Sequence, residues 1–175
     1  MSLYVVKLTE QNMDDVLSRI VFDEPDSNND YGNLSVRVHV TDEEGDKHPL
    51  LIETPWMQAT FGVSSFEVQS RKGNTYKKHK LPVSFNKLET DKHQRVYKEF
   101  MIQFDQKLID HGYANAGEWL QMDGEPKAVI KAFYSPCVSY SKDKKGKITD
   151  KYPPKVQYKL PTYLNDDGSE RFSTR

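Results

Sequence analysis

The chain has a single cysteine, Cys137, among 175 residues. One thiol makes no intrachain disulfide, and it excludes cysteine-rich zinc and iron–sulfur sites. The expectation is a reducing compartment such as cytoplasm, nucleus or an intracellular viral compartment. No apolar run approaches the ~18 residues of a membrane span. The start, Met-Ser-Leu-Tyr-Val-Val-Lys-Leu, has no basic region and no long apolar stretch, so no signal peptide is expected. Catalytic patterns are absent as well. The five histidines, His39, His48, His79, His93 and His111, form no His-Glu-x-x-His or His-x-His spacing. There is no phosphate loop, no Gly-x-Gly-x-x-Gly and no Gly-x-Ser-x-Gly. Cys137 reads as a buried small hydrophobe rather than a nucleophile. Asp42, Glu43, Glu44 and Asp46 lack the spacing of a 12-residue calcium loop and read as a solvated turn. The expectation is therefore no enzyme, no metal and no cofactor.

What is present is aromatic and charged. Mean hydropathy is -0.79 and 29% of residues are charged, so any core is modest. Yet 18 Phe and Tyr and 2 Trp are too many for ordinary disorder. The net charge of -1 argues at first against a nucleic-acid binder, but the charge is segregated. Residues 1–60 hold 12 acids against 4 bases, and 61–175 hold 14 acids against 21 bases. Residues 71–80, RKGNTYKKHK, carry Arg71, Lys72, Lys77, Lys78 and Lys80 and no acid. Residues 142–159, KDKKGKITDKYPPKVQYK, carry seven lysines, among them Lys142, Lys144, Lys145, Lys147 and Lys151, against Asp143 and Asp150. Local fields govern partner choice more than the whole-chain sum.

Periodicity predicts strands over 3–8, 33–41, 49–54, 61–70, 79–86, 136–142 and 154–160. Residues 33–54 read as a hairpin, and 9–32 as acidic, turn-rich loop. Pro82 demotes 79–86 to an edge strand or a bulge. One main amphipathic helix is expected over about 90–111. Thr90 or Asp91 would cap it, Val96, Phe100, Phe104 and Leu108 would form its stripe, and Gly112 would end it. A shorter helix is expected over 115–122 around Trp119, and 127–134 is ambiguous between helix and strand. The fold class expected is β-rich α+β, an OB-like small barrel of five or more strands with one main helix. It would form a single domain over 1–163, with a flexible polar tail at 164–175.

Aromatic residues interleave with the lysines. Tyr76 lies inside the first basic run, Tyr152 lies inside the second, and Tyr140 stands just before it. Single-stranded nucleic acid is held by this pair of devices, cations on phosphates and rings under bases. The candidate nucleic-acid-binding set is Arg71, Lys72, Tyr76, Lys77, Lys78, Lys80, Tyr140, Lys142, Lys144, Lys145, Lys147, Lys151 and Tyr152. The alternative for each tyrosine is a ring packed in a strand with its hydroxyl in water. The alternative for the chain is a β-rich structural or interaction module, such as a virion or assembly protein.

The stretch PLLIETPWMQATFGVSSFEV, the helix VYKEFMIQFDQKLID and the segment FYSPCVSYSKDKKGKITDKYPPKVQYKLP together resemble the single-stranded-DNA-binding proteins of large nucleocytoplasmic DNA viruses. The resemblance runs from about 33 to 161. It implies a relation to the OB-fold binder of podophages and a role in coating DNA during replication, recombination and repair. Replication proteins such as polymerase or primase would be partners. Podophage-type binders end in an acidic tail with a terminal aromatic. Here LNDDGSERFSTR echoes that tail through Asp166, Asp167, Glu170 and Phe172, but Arg171 and Arg175 interrupt it. The acidic excess lies at 10–46, where it could compete with DNA for the basic face.

Overall fold

The computed structural model describes residues 3–26, 35–69, 75–120, 122 and 124–160, apart from the side chain of Tyr76. Among these the elements in chain order are β1 (Val5–Val6), α1 (Met13–Ser18), β2 (Ile20–Phe22), β3 (Val38–Thr41), β4 (Lys47–Pro49), β5 (Leu51–Ile52), β6 (Ser64–Gln69), β7 (Thr75–Ser84), α2 (Lys92–Ala114), α3 (Ala116–Leu120), α4 (Lys127–Phe133), β8 (Val138–Ser139) and β9 (Lys155–Leu160). The fold is mixed α+β. The described strands form three sheets of two, three and four strands, and none of the three strand orders closes on itself. The chain divides into two compact units, each made of two stretches: Met1–Trp56 with Lys87–Cys137, and Met57–Asn86 with Val138–Arg175. The expected tail over 164–175 lies outside the described residues.

Unit 1 is organised by α2. Asp91 caps it, its side chain accepting from the backbone N–H of His93 (2.9 Å) and Gln94 (3.2 Å). These are two of the four donors that a helix start leaves unpaired. Val96, Tyr97, Phe100 and Ile109 bury the inner stripe, with Phe100 fully enclosed. The helix passes through Gly112 and ends at Ala114. Gly112 is buried, and a Cβ there would stand 3.8 Å from Trp119 Cε3, ordinary contact. Nothing at Gly112 therefore requires a stop, and the glycine only weakens the last turn. His111 sits between Phe22 (4.8 Å) and the half-buried Trp119 (4.7 Å), tying β2 and α3 to α2.

The acidic segment expected to be loop contains α1 and β2. Their signal is a set of apolar residues in an acidic run, of which Val16, Leu17 and Ile20 are buried. Ile20 pairs with Val40 in the three-stranded antiparallel sheet β2-β3-β4. The hairpin expected over 33–54 forms only between β3 and β4, with Val40 opposite His48. Leu51 and Ile52 leave that hairpin and pair in parallel with Val5 and Val6 of β1. The ambiguous segment at 127–134 is helix, and its Ile130 is buried.

Unit 2 is the four-stranded antiparallel sheet β6-β7-β9-β8. β7 is its long member. Its first part, from Thr75 to Lys80, pairs with β6, and its last part, from His79 to Ser84, pairs with β9. Pro82 falls where β6 has ended, so its missing N–H costs no ladder bond on that side. At Ser84 the chain at Gln58 supplies a partner, Ser84 N–H donating to Gln58 O at 2.9 Å. Side chains alternate across a sheet, so paired residues share a face. His79, Val83, Val138 and Val156 lie on one face and are all buried. With Phe85 they make the core of this unit.

Candidate nucleic-acid interface

Charge follows the division into units. Unit 1 holds 20 acids against 11 lysines and arginines, and unit 2 holds 6 against 14. Every residue of the candidate set belongs to unit 2. The cationic field is thus confined to one folding unit, although the chain as a whole is nearly neutral.

The lysine segment between β8 and β9 is built as a small hairpin. Lys142 pairs with Ile148, and Thr149 N–H donates to Ser141 O at 2.8 Å. Asp143 organises the turn. Its N–H donates to Lys147 O (2.9 Å), its O accepts from Gly146 N–H (3.0 Å), and its carboxylate accepts from the N–H of Lys145 (2.8 Å) and Lys147 (2.9 Å). Gly146 takes φ +80°, the left-handed region that a side chain resists. The Asp143 carboxylate is thus directed at backbone donors of the turn. Lys142, Lys144, Lys145 and Lys147 stand exposed around it. Beyond the turn, Tyr152 is 61% exposed, with Lys151 Nζ 5.3 Å from its ring centroid. Tyr140 is half-buried.

The other basic run divides. Arg71 and Lys72 lie outside the described residues. The backbone of Tyr76 pairs with Val68, and its side chain lies outside those described. Lys78 and Lys80 lie on the sheet face opposite to the buried one. Lys77 does not share it: it stands opposite Glu67 on the other side of the sheet. Strand alternation places neighbours in sequence on opposite faces, so the three lysines cannot act as one contiguous patch.

The register brings in residues outside the candidate set. Lys80 stands directly opposite Lys159, Ser84 opposite Lys155, and Lys78 opposite Phe66. Phe66 is 38% exposed, and Lys80 Nζ lies 4.8 Å from its ring centroid. The alternation in FEVQ and KVQYKL carried the signal for these positions, since odd and even residues of a strand cannot share a face.

Unit 1 holds further polar clusters among the described residues. The buried carboxylate of Asp105 accepts from Tyr134 OH (2.6 Å) and from Cys137 N–H (2.9 Å). Burial, with the Asp105 charge beside it, pushes the Cys137 thiol up to about 12 and raises the Tyr134 hydroxyl further. Such a thiol stays protonated and is a poor nucleophile. Gln94 is fully buried and bridges Lys87 N–H (3.0 Å) to Trp56 O (2.7 Å). A cavity of about 230 Å³ beside it is lined by Lys7, Glu53, Trp56, Asp91 and His93 among others. Its carboxylates are engaged, Asp91 by the α2 cap and Glu53 by Lys7 at 3.8 Å. Among the described residues, no group of three or more His, Cys, Asp and Glu could hold a metal ion. No described helix is long and apolar enough to cross a membrane.

No family model, no curated protein and no solved structure matches the chain.

Proposed function

We propose that the chain is a non-enzymatic single-stranded-DNA-binding protein whose binding surface lies on unit 2. The observation that carries this reading is the charge of unit 2, whose two stretches hold 14 lysines and arginines against 6 acids. Within it, the one acid inside the lysine turn accepts backbone bonds, and four lysines stand exposed around it. The exposed Tyr152 ring supplies a stacking surface beside them. The reading keeps the role implied by the viral resemblance: coating of single strands in replication, recombination or repair, beside replication proteins, in an intracellular viral setting. It does not need the OB-like barrel to close, because an open sheet presents the same rings and cations.

The test is a salt titration of a fluorescent dT oligomer. Binding should be tight at low salt and weaken steeply as salt rises. Replacing Lys144, Lys145, Lys147 and Lys151 together with glutamine should lower the slope by up to about 3, at ~0.7 per phosphate contact on a single strand. No binding by the intact protein at low salt would overturn the proposal.

A protein-interaction module is the second reading. It is favoured by large exposed rings on each unit, Trp56 (93% exposed) on unit 1 and Phe61 (85% exposed) on unit 2. Large exposed apolar rings are features of partner surfaces. Its discriminator is capture of a protein by a chain that has no affinity for dT.

A further inference from the structure

The outward face of the four-stranded sheet carries Ser64, Phe66 and Val68 from β6, Lys78, Lys80, Pro82 and Ser84 from β7, and Lys155, Gln157 and Lys159 from β9. These strand positions include no carboxylate. The face is not packed: Phe66, Lys78, Lys155, Gln157 and Lys159 are exposed, while the opposite face buries His79, Val83 and Val156. Lys80 and Lys159 are paired directly across the ladder. Like charges in that position are destabilising, and none of the described strand positions on this face carries an acid. A fold that keeps such a pair beside a half-exposed aromatic ring departs from local stability at one place, which is where function is expected.

We propose that this face is a base-stacking subsite for single-stranded nucleic acid, with Phe66 as the stacking ring and Lys78, Lys80 and Lys159 as the cations on the flanking phosphates. The inference rests on the reading that unit 2 binds nucleic acid, and it names residues that the candidate set lacks. Lys80 Nζ lies over the Phe66 ring, 4.8 Å from its centroid, so a base stacking on that face would displace the ammonium from the ring toward the flanking phosphate. Lys78 and Lys80 are two residues apart on one strand, about 6.8 Å at strand rise, of the order of one extended nucleotide step. An aromatic ring set among cations on an open sheet selects unpaired bases, because duplex bases are already stacked on one another. An acidic protein surface would use the lysines and leave the ring idle.

The experiment compares dT oligomer and heparin binding by the full chain and its variants. Heparin has charge and no bases. F66A and F66L should each lose roughly 5- to 150-fold in dT affinity, the range for one stacked base, with heparin affinity unchanged. F66W should retain dT binding and show fluorescence quenching on binding. K159E should raise the thermal midpoint by removing the like-charge pair and also lower dT affinity. Unchanged dT binding by F66A and F66L in a protein that binds dT would overturn the stacking subsite and leave the proposed function standing. Equal losses for dT and heparin would reduce the face to a charged or acidic-partner surface and overturn it too. No dT binding by the wild type would remove both.

Discussion

The turns at 42–46 and 143–147 share a backbone and carry opposite charge. In DEEGD, Asp42 N–H donates to Asp46 O (3.0 Å), Gly45 N–H donates to Asp42 O (3.2 Å), and the Asp42 carboxylate accepts from Asp46 N–H (2.8 Å). In DKKGK the corresponding bonds run at 2.9, 3.0 and 2.9 Å. The glycines take φ +90° and +80°. Aspartate and glycine fix the loop, and the intervening positions are free to carry either sign. Unit 1 fills them with glutamates and unit 2 with lysines. The acidic turn is further tied down by His48, whose Nε2 lies 2.7 Å from Asp42 and holds that carboxyl below its usual range. The same construction thus serves opposite electrostatic ends, and the difference between the units lies in their surfaces rather than their backbones.

The sharpest break of that comparison is at the cores. Phe100→Ala empties the centre of unit 1 and should cost about 3–5 kcal/mol. Both tryptophans, Trp56 and Trp119, belong to unit 1, so urea unfolding followed by tryptophan fluorescence reads it. Phe85→Ala makes the equivalent hole in unit 2, and an equal shift of the tryptophan signal would show that the units unfold as one. Next come the turn glycines. Gly45→Ala and Gly146→Ala should each cost about 1–2 kcal/mol, because each forces a Cβ into the left-handed region. Thermal melts that differ widely between the two variants would break the equivalence of the turns. The smallest effect is a gain. Gly112→Ala should stabilise unit 1 by about 0.4–1 kcal/mol, since the position is helical and a methyl fits against Trp119.

The sequence made some of this legible. The α2 stripe and the Asp91 cap could be read because 3.6-residue periodicity and a capping side chain are local. The small hairpin closed by Lys142 and Ile148 was not expected, although the Asp143 and Gly146 that shape it are local. Three further things could not be read. α1 and β2 hide in an acidic run where Val16, Leu17 and Ile20 are buried by distant partners. The parallel pairing of β1 with β5 is a tertiary choice that no turn residue announces. The facing of Lys80 by Lys159 depends on register between strands far apart in sequence. The burial of α1 also changes how the acidic segment should be probed. Removing 10–30 would take core residues with it, so charge substitution at Glu43 and Glu44 is the cleaner test of competition with DNA.

Each unit is assembled from two separate stretches of chain, and this has a consequence for synthesis. β6 and β7 leave the ribosome before the 23-residue helix α2, whereas β9, which completes the sheet, follows all four helices. Until then the His79–Ser84 side of β7 is an open strand edge, the kind of surface on which nascent chains aggregate. Lys80 and Pro82 lie within that edge and are of the kind that discourages such pairing. The charges assigned here to a mature surface would thus first be used to keep the unfinished protein single.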